Sequence, residues 1–144
     1  MLNIQGLNHV GIRIGDKERS LDFYARLGFA FKSDAGFDHG HPIIMQHPSG
    51  IVLNLLGPSN TQDAHNILMD SDDKYPGITH FALTVDSLDA ARKLMEANDI
   101  AITGSFSFGG MSAIFIRDPD RNVIELDAYD ESNNEDMSGY TNHP

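Results

Sequence analysis

The sequence contains two related copies of one pattern, 71 positions apart. The residues at 47–55, His-Pro-Ser-Gly-Ile-Val-Leu-Asn-Leu, align with Asp-Pro-Asp-Arg-Asn-Val-Ile-Glu-Leu at 118–126, and the same offset places His9 on His80 and Asn54 on Glu125. Each copy therefore has a histidine and, later, a second polar residue in segments that otherwise read as apolar strands. Because buried polar groups are costly unless each finds a partner, these positions predict one shared site, most simply for a metal ion.

Both copies predict the element order βαβββ. In the first, a strand at 6–14 is followed by a helix that Asp16 caps and Gly28 ends, with apolar residues at helical spacing between them. In the second, the helix begins after Asp86 or Ser87. The other predicted strands are 29–34, 42–46 and 51–56 in the first copy, and 78–85, 100–106, 111–117 and 122–128 in the second.

A chain of 144 residues with 40% apolar content can bury one core, which predicts a single domain. We divide it into repeat one at about 6–57, a linker at 58–76, repeat two at about 77–129 and a polar tail at 130–144. The linker is turn-rich, with one helical turn around 64–69, and it is long enough for the repeats to pair within one chain or between two. The tail is acidic and is expected to be disordered on its own.

Composition narrows the class of partner. The formal net charge of -11 repels phosphate backbones and anionic membrane surfaces, so neither nucleic acid nor a membrane is expected. The sequence has no cysteine, which removes disulfides, thiolate metal ligands and cysteine nucleophiles. No signal peptide is evident, and no apolar run approaches the roughly 20 residues of a membrane span. We therefore expect a cytoplasmic protein.

These motifs resemble the vicinal oxygen chelate superfamily, which contains glyoxalase I, extradiol dioxygenases, methylmalonyl-CoA epimerase, fosfomycin-resistance transferases and metal-free bleomycin-binding proteins. The resemblance covers residues 7–129. It is carried by His9-Val-Gly-Ile-Arg13, by Gly77-Ile-Thr-His80 and by Asp118-Pro-Asp-Arg-Asn-Val-Ile-Glu125. It implies an α+β, glyoxalase-like fold in which two βαβββ repeats form a curved mixed sheet around a central metal or ligand cavity. The metal ligands it implies are His9, His80 and Glu125, with Asn54 at the fourth ligand position.

Two imidazoles and one carboxylate suit a single divalent ion, which could be Fe, Mn, Ni, Co or Zn. Such a site leaves positions open for two adjacent oxygens of a substrate. Asn54 departs from glyoxalase I, which has a carboxylate there. An amide is a weak ligand that cannot accept a proton at neutral pH, so the usual glyoxalase reaction is in question. Asn54 is either a fourth contact or a buried amide bonded to the backbone.

Two residues are expected to contact the substrate. Arg13 alternates in phase with His9, so it should face the same cavity and bind an anionic group, unless it is a surface charge or an ion-pair partner. Phe115 stands where extradiol dioxygenases have a tyrosine. Gly109-Gly110 resembles a feature that glyoxalase I uses near its glutathione moiety. His39, His41 and His47 lie in turn-rich sequence and are interpreted as solvated loop residues.

The sequence thus predicts a metal-dependent lyase, isomerase or dioxygenase of the glyoxalase and dioxygenase type, acting on a small molecule as a homodimer. It identifies no catalytic base. The alternative is a metal-free small-molecule binding protein of the bleomycin-resistance kind.

Overall fold

The computed structural model describes residues 1–61 and 65–129, together with a backbone strand at 136–140. The chain divides into two compact units, residues 1–63 and 64–144. The boundary lies inside the segment predicted to be a linker. Among the described residues, no helix has the length and apolar character needed to cross a membrane.

Unit 1 has the predicted βαβββ order. Asp16 caps its helix by accepting a hydrogen bond of 2.7 Å from the Arg19 backbone N–H, and Gly28 follows the helix with a positive φ of 98°. The sheet order is β1-β4-β3-β2, with β1 parallel to β4 and the other pairs antiparallel. The elements are β1 (Val10–Arg13), α1 (Lys17–Arg26), β2 (Ala30–Asp34), a 3-10 turn (Phe37–His39), β3 (Ile43–Gln46) and β4 (Val52–Leu56).

Unit 2 repeats this order and adds one strand. Ser87 caps its helix through the Ala90 backbone N–H, and the sheet order is β5-β8-β7-β6-β9, with β5 parallel to β8. The last strand pairs its backbone with β6, so part of the segment predicted to be a polar tail extends this sheet. The elements are β5 (His80–Thr84), α2 (Leu88–Ala97), β6 (Ile102–Phe108), β7 (Met111–Arg117), β8 (Val123–Tyr129) and β9 (Asp136–Tyr140).

The 71-residue offset of the sequence extends to the register of both sheets. Each sheet has a row of four residues paired across four strands, and each member of one row lies 71 positions from its counterpart. The irregularity in strand pairing also recurs, at Phe31/Ser33 and at Ile102/Gly104. The fold prediction, an α+β protein of two βαβββ repeats, is therefore confirmed. The rows are Gly11–Asn54–Ile44–Ser33 and Ala82–Glu125–Phe115–Gly104.

Alternating strand positions separate a buried face from an open face in each sheet. The buried face of unit 1 includes Leu53 and Leu55, and α1 buries Tyr24. The buried face of unit 2 includes Ile124, and α2 buries Met95. Because successive side chains of a strand point to opposite faces, the polar residues between these positions lie on the open faces. The core residues thereby determine which face carries the candidate site.

The two histidines lie at the strand starts rather than inside the strands as predicted. His9 immediately precedes β1, and His80 is the first residue of β5. Pairing with the neighbouring strand begins at Val10↔Leu53 in unit 1 and at His80↔Val123 in unit 2, which sets these limits. The offset between the histidines is unaffected.

Candidate functional site

Unit 2 brings together two of the predicted metal ligands. The parallel pairing of β5 with β8 places Ala82 opposite Glu125, so His80 lies one step along the same face. His80 Nε2 is 2.9 Å from Glu125 Oε2, and the two side chains are 34% and 13% exposed. The pair thus lies at the surface of the sheet, with the imidazole accessible and the carboxylate mostly covered.

Phe115 lies on β7 directly across from Glu125. Its ring meets the His80 ring edge to face, with centroids 6.2 Å apart. Phe115 is only 9% exposed, because it belongs to a buried cluster with Met69 and Val123, against which Leu68 and Phe106 pack. One side of the His80–Glu125 pair is therefore bounded by apolar side chains. The predicted substrate-contacting residue is part of this apolar wall.

Asp127 lies on the same face and was not predicted. Burial, together with hydrogen bonding and charge from the adjacent Glu125 carboxyl, raises the pKa of Asp127 to about 6. Its Oδ1 atom is buried without a hydrogen-bond partner. The repeat comparison did not indicate this residue, because its counterpart in repeat one is Leu56. The two-residue spacing from Glu125 was the available signal.

Unit 1 presents the other predicted residues on its open face. His9 is exposed, and Gly11 and Arg13 follow it on the same side of β1, both exposed. Asn54 is partly buried on the adjacent β4, paired with Gly11. Within this unit, Arg13 and Asn54 therefore lie on the predicted side of the sheet.

The second half of the predicted linker is fastened to unit 2 by a polar cluster, which we call the clasp: Asn66, Asp70, Arg117 and Arg121. Arg117 donates from Nη2 and Nη1 to both Asp70 oxygens, at 2.9 and 3.2 Å, and Arg121 Nε donates to Asp70 Oδ2 at 3.1 Å. Asn66 Nδ2 donates to the Arg121 carbonyl at 3.1 Å. This clasp holds residues 66–70 against the end of the β7–β8 hairpin, and with them the Leu68 and Met69 side chains of the apolar wall.

The clasp changes the acidity of its carboxylate. Burial alone would raise the pKa of Asp70, but hydrogen bonds from Arg121 and Arg117 outweigh it and lower the pKa to about 2. Asp70 is therefore ionised throughout the physiological range.

Other residues noted in the sequence have structural explanations. Gly109 and Gly110 form the turn between β6 and β7 with φ values of 62° and 79°, as two-residue hairpin turns require. His39 and His41 are exposed, as predicted for loop residues. His47 is half-buried, contrary to that prediction, because its ring packs on Phe29 with centroids 5.3 Å apart.

The donor types suit a divalent ion, since imidazole nitrogen and carboxylate oxygen are common ligands of Zn and Fe. The orientation of both histidines also suits it, because each ring engages a neighbouring side chain through Nδ1. Within residues 1–61 and 65–129, however, no group of three His, Cys, Asp or Glu side chains is placed to hold a metal ion. Unit 2 does bring two metal-ligating side chains, His80 and Glu125, into contact.

Comparison with known proteins identifies similar chains. Residues 6–126 match the family model of the Glyoxalase/Bleomycin resistance protein/Dioxygenase superfamily. The glyoxalase domain-containing protein RDO1 of Mycosarcoma maydis is 25% identical over 142 residues, covering 91% of this chain and 72% of that protein.

Two solved structures share the fold at low sequence identity. The antibiotic-binding protein TnmS3 from Streptomyces sp. CB03234 is 22% identical, with a TM-score of 0.67 over 90% of this chain and 99% of that one. A lactoylglutathione lyase from Agrobacterium tumefaciens is 20% identical, with a TM-score of 0.64 over 87% of this chain and 94% of that one. The fold thus occurs both in a binding protein and in an enzyme.

Proposed function

Because the chain belongs to the Glyoxalase/Bleomycin resistance protein/Dioxygenase superfamily, we propose that it is a metal-dependent enzyme acting on a small molecule with two adjacent oxygens. The proposed ligands are His9, His80 and Glu125, and Asn54 is proposed as a fourth contact. The reaction class is that of a lyase, isomerase or dioxygenase. A divalent ion held by these groups would polarise both substrate oxygens and stabilise developing negative charge.

The contact between His80 Nε2 and Glu125 Oε2, 2.9 Å long on the open face of unit 2, carries the proposal. The contact brings an accessible imidazole nitrogen and a carboxylate oxygen together, and both are donor types that divalent ions bind. The equivalent positions in unit 1 are His9 and Asn54, which also lie toward an open face. Similar donors at equivalent strand positions of both repeats support one shared function for them.

The other residues of these faces suggest how a substrate is bound. The apolar wall, which includes Phe115, Phe106 and Leu68, would exclude water from one side of the reacting oxygens and contact an apolar substrate group. Arg13 is the proposed contact for an anionic group. Asn54 can donate a hydrogen bond and accept one, but it cannot remove a proton at neutral pH. A proton-transfer step therefore requires a residue other than Asn54.

Metal content tests the proposal. Protein purified without a chelating tag should contain about one equivalent of a divalent metal by elemental analysis. His80→Ala and Glu125→Ala should each lower that content sharply, since two strong ligands and a weak amide contact hold a divalent ion poorly against water. His39→Ala is the matched control, because His39 is an exposed histidine outside the proposed ligand set. Equal metal content in all four proteins would contradict the ligand assignment.

The alternative is a metal-free protein that binds a small molecule. One observation favours it: the described part of the chain contains no three metal-ligating side chains placed together, whereas it does contain an apolar wall. A wild-type protein that neither retains nor binds divalent metal, but binds an apolar small molecule in a manner that Phe106→Ala weakens, would support this alternative.

We also propose that the protein is a homodimer. β1 and β5 are edge strands of their sheets, and an uncovered edge promotes pairing with another strand. The residues Leu7 and Ile78, equivalent in the two repeats, precede the two site histidines and are 83% and 89% exposed. A second copy that covers both would bury large aliphatic side chains that are costly to leave in water.

A further inference from the structure

The residue before each site histidine bonds to that histidine. His9 Nδ1 lies 2.7 Å from Asn8 Oδ1, and His80 Nδ1 lies 2.8 Å from Thr79 Oγ1. Asn8 and Thr79 are themselves 71 positions apart, so they are equivalent residues of the two repeats. In both repeats, the residue before the histidine contacts Nδ1 of its ring. The side chain that makes the contact is an amide in one repeat and a hydroxyl in the other.

The two side chains differ in what they impose on the ring. A neutral imidazole has one N–H and one nitrogen lone pair, and only the lone pair can bind a metal. The amide oxygen of Asn8 only accepts hydrogen bonds, so His9 must donate from Nδ1, and its lone pair is then on Nε2. The hydroxyl of Thr79 can donate or accept, and it therefore permits either tautomer of His80.

The contact with Glu125 adds a second constraint on the His80 ring. Its Nε2 atom is 2.9 Å from Glu125 Oε2, and an ionised carboxylate only accepts hydrogen bonds. In a neutral His80 with this contact, the proton is on Nε2 and the Thr79 hydroxyl donates to Nδ1. For Nε2 to become a ligand, the ring proton must be on Nδ1, and the Thr79 hydroxyl must then accept a hydrogen bond from Nδ1–H.

We infer that Asn8 and Thr79 are positioning residues of the metal site. Asn8 holds His9 in the tautomer that leaves Nε2 able to bind a metal, and Thr79 would accept a hydrogen bond from Nδ1 of His80 if Nε2 of that ring held the ion. This inference rests on the proposed function. Each repeat would then have one residue that hydrogen-bonds to its histidine ligand and orients the ring. Loss of such a contact typically weakens metal binding about 10- to 100-fold.

The inference can be tested by nuclear magnetic resonance on protein labelled with 15N in histidine. Long-range proton–nitrogen spectra of the metal-free protein should show His9 with its proton on Nδ1 and His80 with its proton on Nε2. Addition of Zn²⁺ should move the His80 proton to Nδ1. In Asn8→Ala the metal-free His9 should become a mixture of tautomers, a change that a purely structural role for Asn8 would not produce.

Zn²⁺ affinity is the second measurement. Thr79→Val keeps the shape of the side chain and removes the hydroxyl, so the Kd for Zn²⁺ should rise about 10- to 100-fold, and Thr79→Ser should restore it. Ser71→Ala is the matched control: it removes the hydroxyl that lies 3.2 Å from His65 Nε2, outside the ligand set, and should leave the Kd unchanged. Circular dichroism should show that each variant is folded.

The outcomes separate the two hypotheses. Wild-type protein that binds no Zn²⁺ overturns the proposed function and with it any role of Asn8 and Thr79 toward a metal. Wild-type protein that binds Zn²⁺, with unchanged affinity in Thr79→Val and Asn8→Ala or with unchanged tautomers, overturns the inference alone.

Discussion

At the residue scale, the difference between Asn54 and Glu125 is the most consequential departure from symmetry. The two occupy the same place in paired rows of equivalent strands, yet only one can carry a negative charge. The site proposed here therefore has a single carboxylate among its four positions. Asn54 thus bears on the reaction class, because a lyase or isomerase that transfers a proton would need a base other than this amide.

Restoring the missing carboxylate should change the affinity for metal. We expect Asn54→Glu to bind Zn²⁺ or Ni²⁺ more tightly, by about tenfold or more, because a charged oxygen replaces a neutral one. Isothermal titration calorimetry measures this directly, with Asn54→Gln as the control for side-chain length. If Asn54→Glu also isomerises the hemithioacetal of methylglyoxal and glutathione, it has gained the function expected of a base. Efficient isomerisation by the wild-type protein would contradict our argument about the amide.

A second residue-scale feature is the backbone of Arg121, which has a φ of 65°. Its counterpart in repeat one is Gly50, with a φ of 95°. A left-handed conformation costs a residue with a Cβ roughly 1 kcal/mol relative to glycine. The Arg121 side chain offsets this cost by donating to Asp70. In repeat two, the turn with the left-handed residue is therefore also the turn that binds residues 66–70.

At the scale of elements, the clasp makes stability depend on pH. The folded pKa of Asp70 is about 2, below the ordinary value of 3.8. Its contribution to stability is thus fully present above pH 4 to 5 and is lost as the pH falls toward 2. The difference in pKa corresponds to about 2 kcal/mol for this largely buried carboxylate.

Urea unfolding at several pH values checks this prediction. Between pH 5 and pH 2, the free energy of unfolding should fall by about 2 kcal/mol more in the wild type than in Asp70→Asn. The matched control is Asp34→Asn: Asp34 also has its pKa lowered to about 2 by Lys17 and by backbone N–H groups, but its ion pair is exposed, so its removal should alter the pH profile less. Parallel curves for the wild type and Asp70→Asn would show that the clasp is not the acid-sensitive element.

At the scale of the whole molecule, the repeats carry equivalent edges and equivalent exposed aliphatic residues. We expect light scattering to give about twice the chain mass of 15.9 kDa. Replacing Leu7 and Ile78 together by Ser should shift the protein toward monomer, because it removes apolar surface that association would bury. Exchange of the exposed Ile67 for Ser is the control, since Ile67 lies away from both edge strands in sequence. A monomeric wild type would contradict the homodimer.

Mixing two defective proteins tests whether a site is built from both chains. If His9 of one chain and Glu125 of the other share an ion, a mixed dimer of His9→Ala and Glu125→Ala has one intact site and one doubly defective site. Metal binding should then return in part when the two proteins exchange subunits. Mass measurements should first show that the subunits have exchanged. If metal binding still does not return, the site is formed by a single chain.

Much of the fold could be predicted from the sequence, because each repeat provides an independent copy of the same pattern of strands and helix. The offset that pairs His9 with His80 also pairs every member of the two strand rows, since both copies use the same alternation of apolar residues. Local signals were equally direct: Asp16 caps the first helix as predicted, and Ser87, one of the two residues predicted for the second helix, caps that one. The full ligand set, including His9, stays a prediction, while the contact between His80 and Glu125 follows from their register.

The remaining features depend on residues that are distant in the chain. Asp70 meets Arg117 across 47 positions, and no local pattern indicates that contact. The pairing of β9 with β6 likewise occurs in a segment whose composition predicted disorder. The edge of β6 supplies backbone hydrogen-bond partners to this segment, and composition alone cannot indicate them. Periodicity decides which face a side chain occupies. The burial of that face, which is the largest cause of the raised pKa of Asp127 and also covers Phe115, is decided only when separate elements pack together.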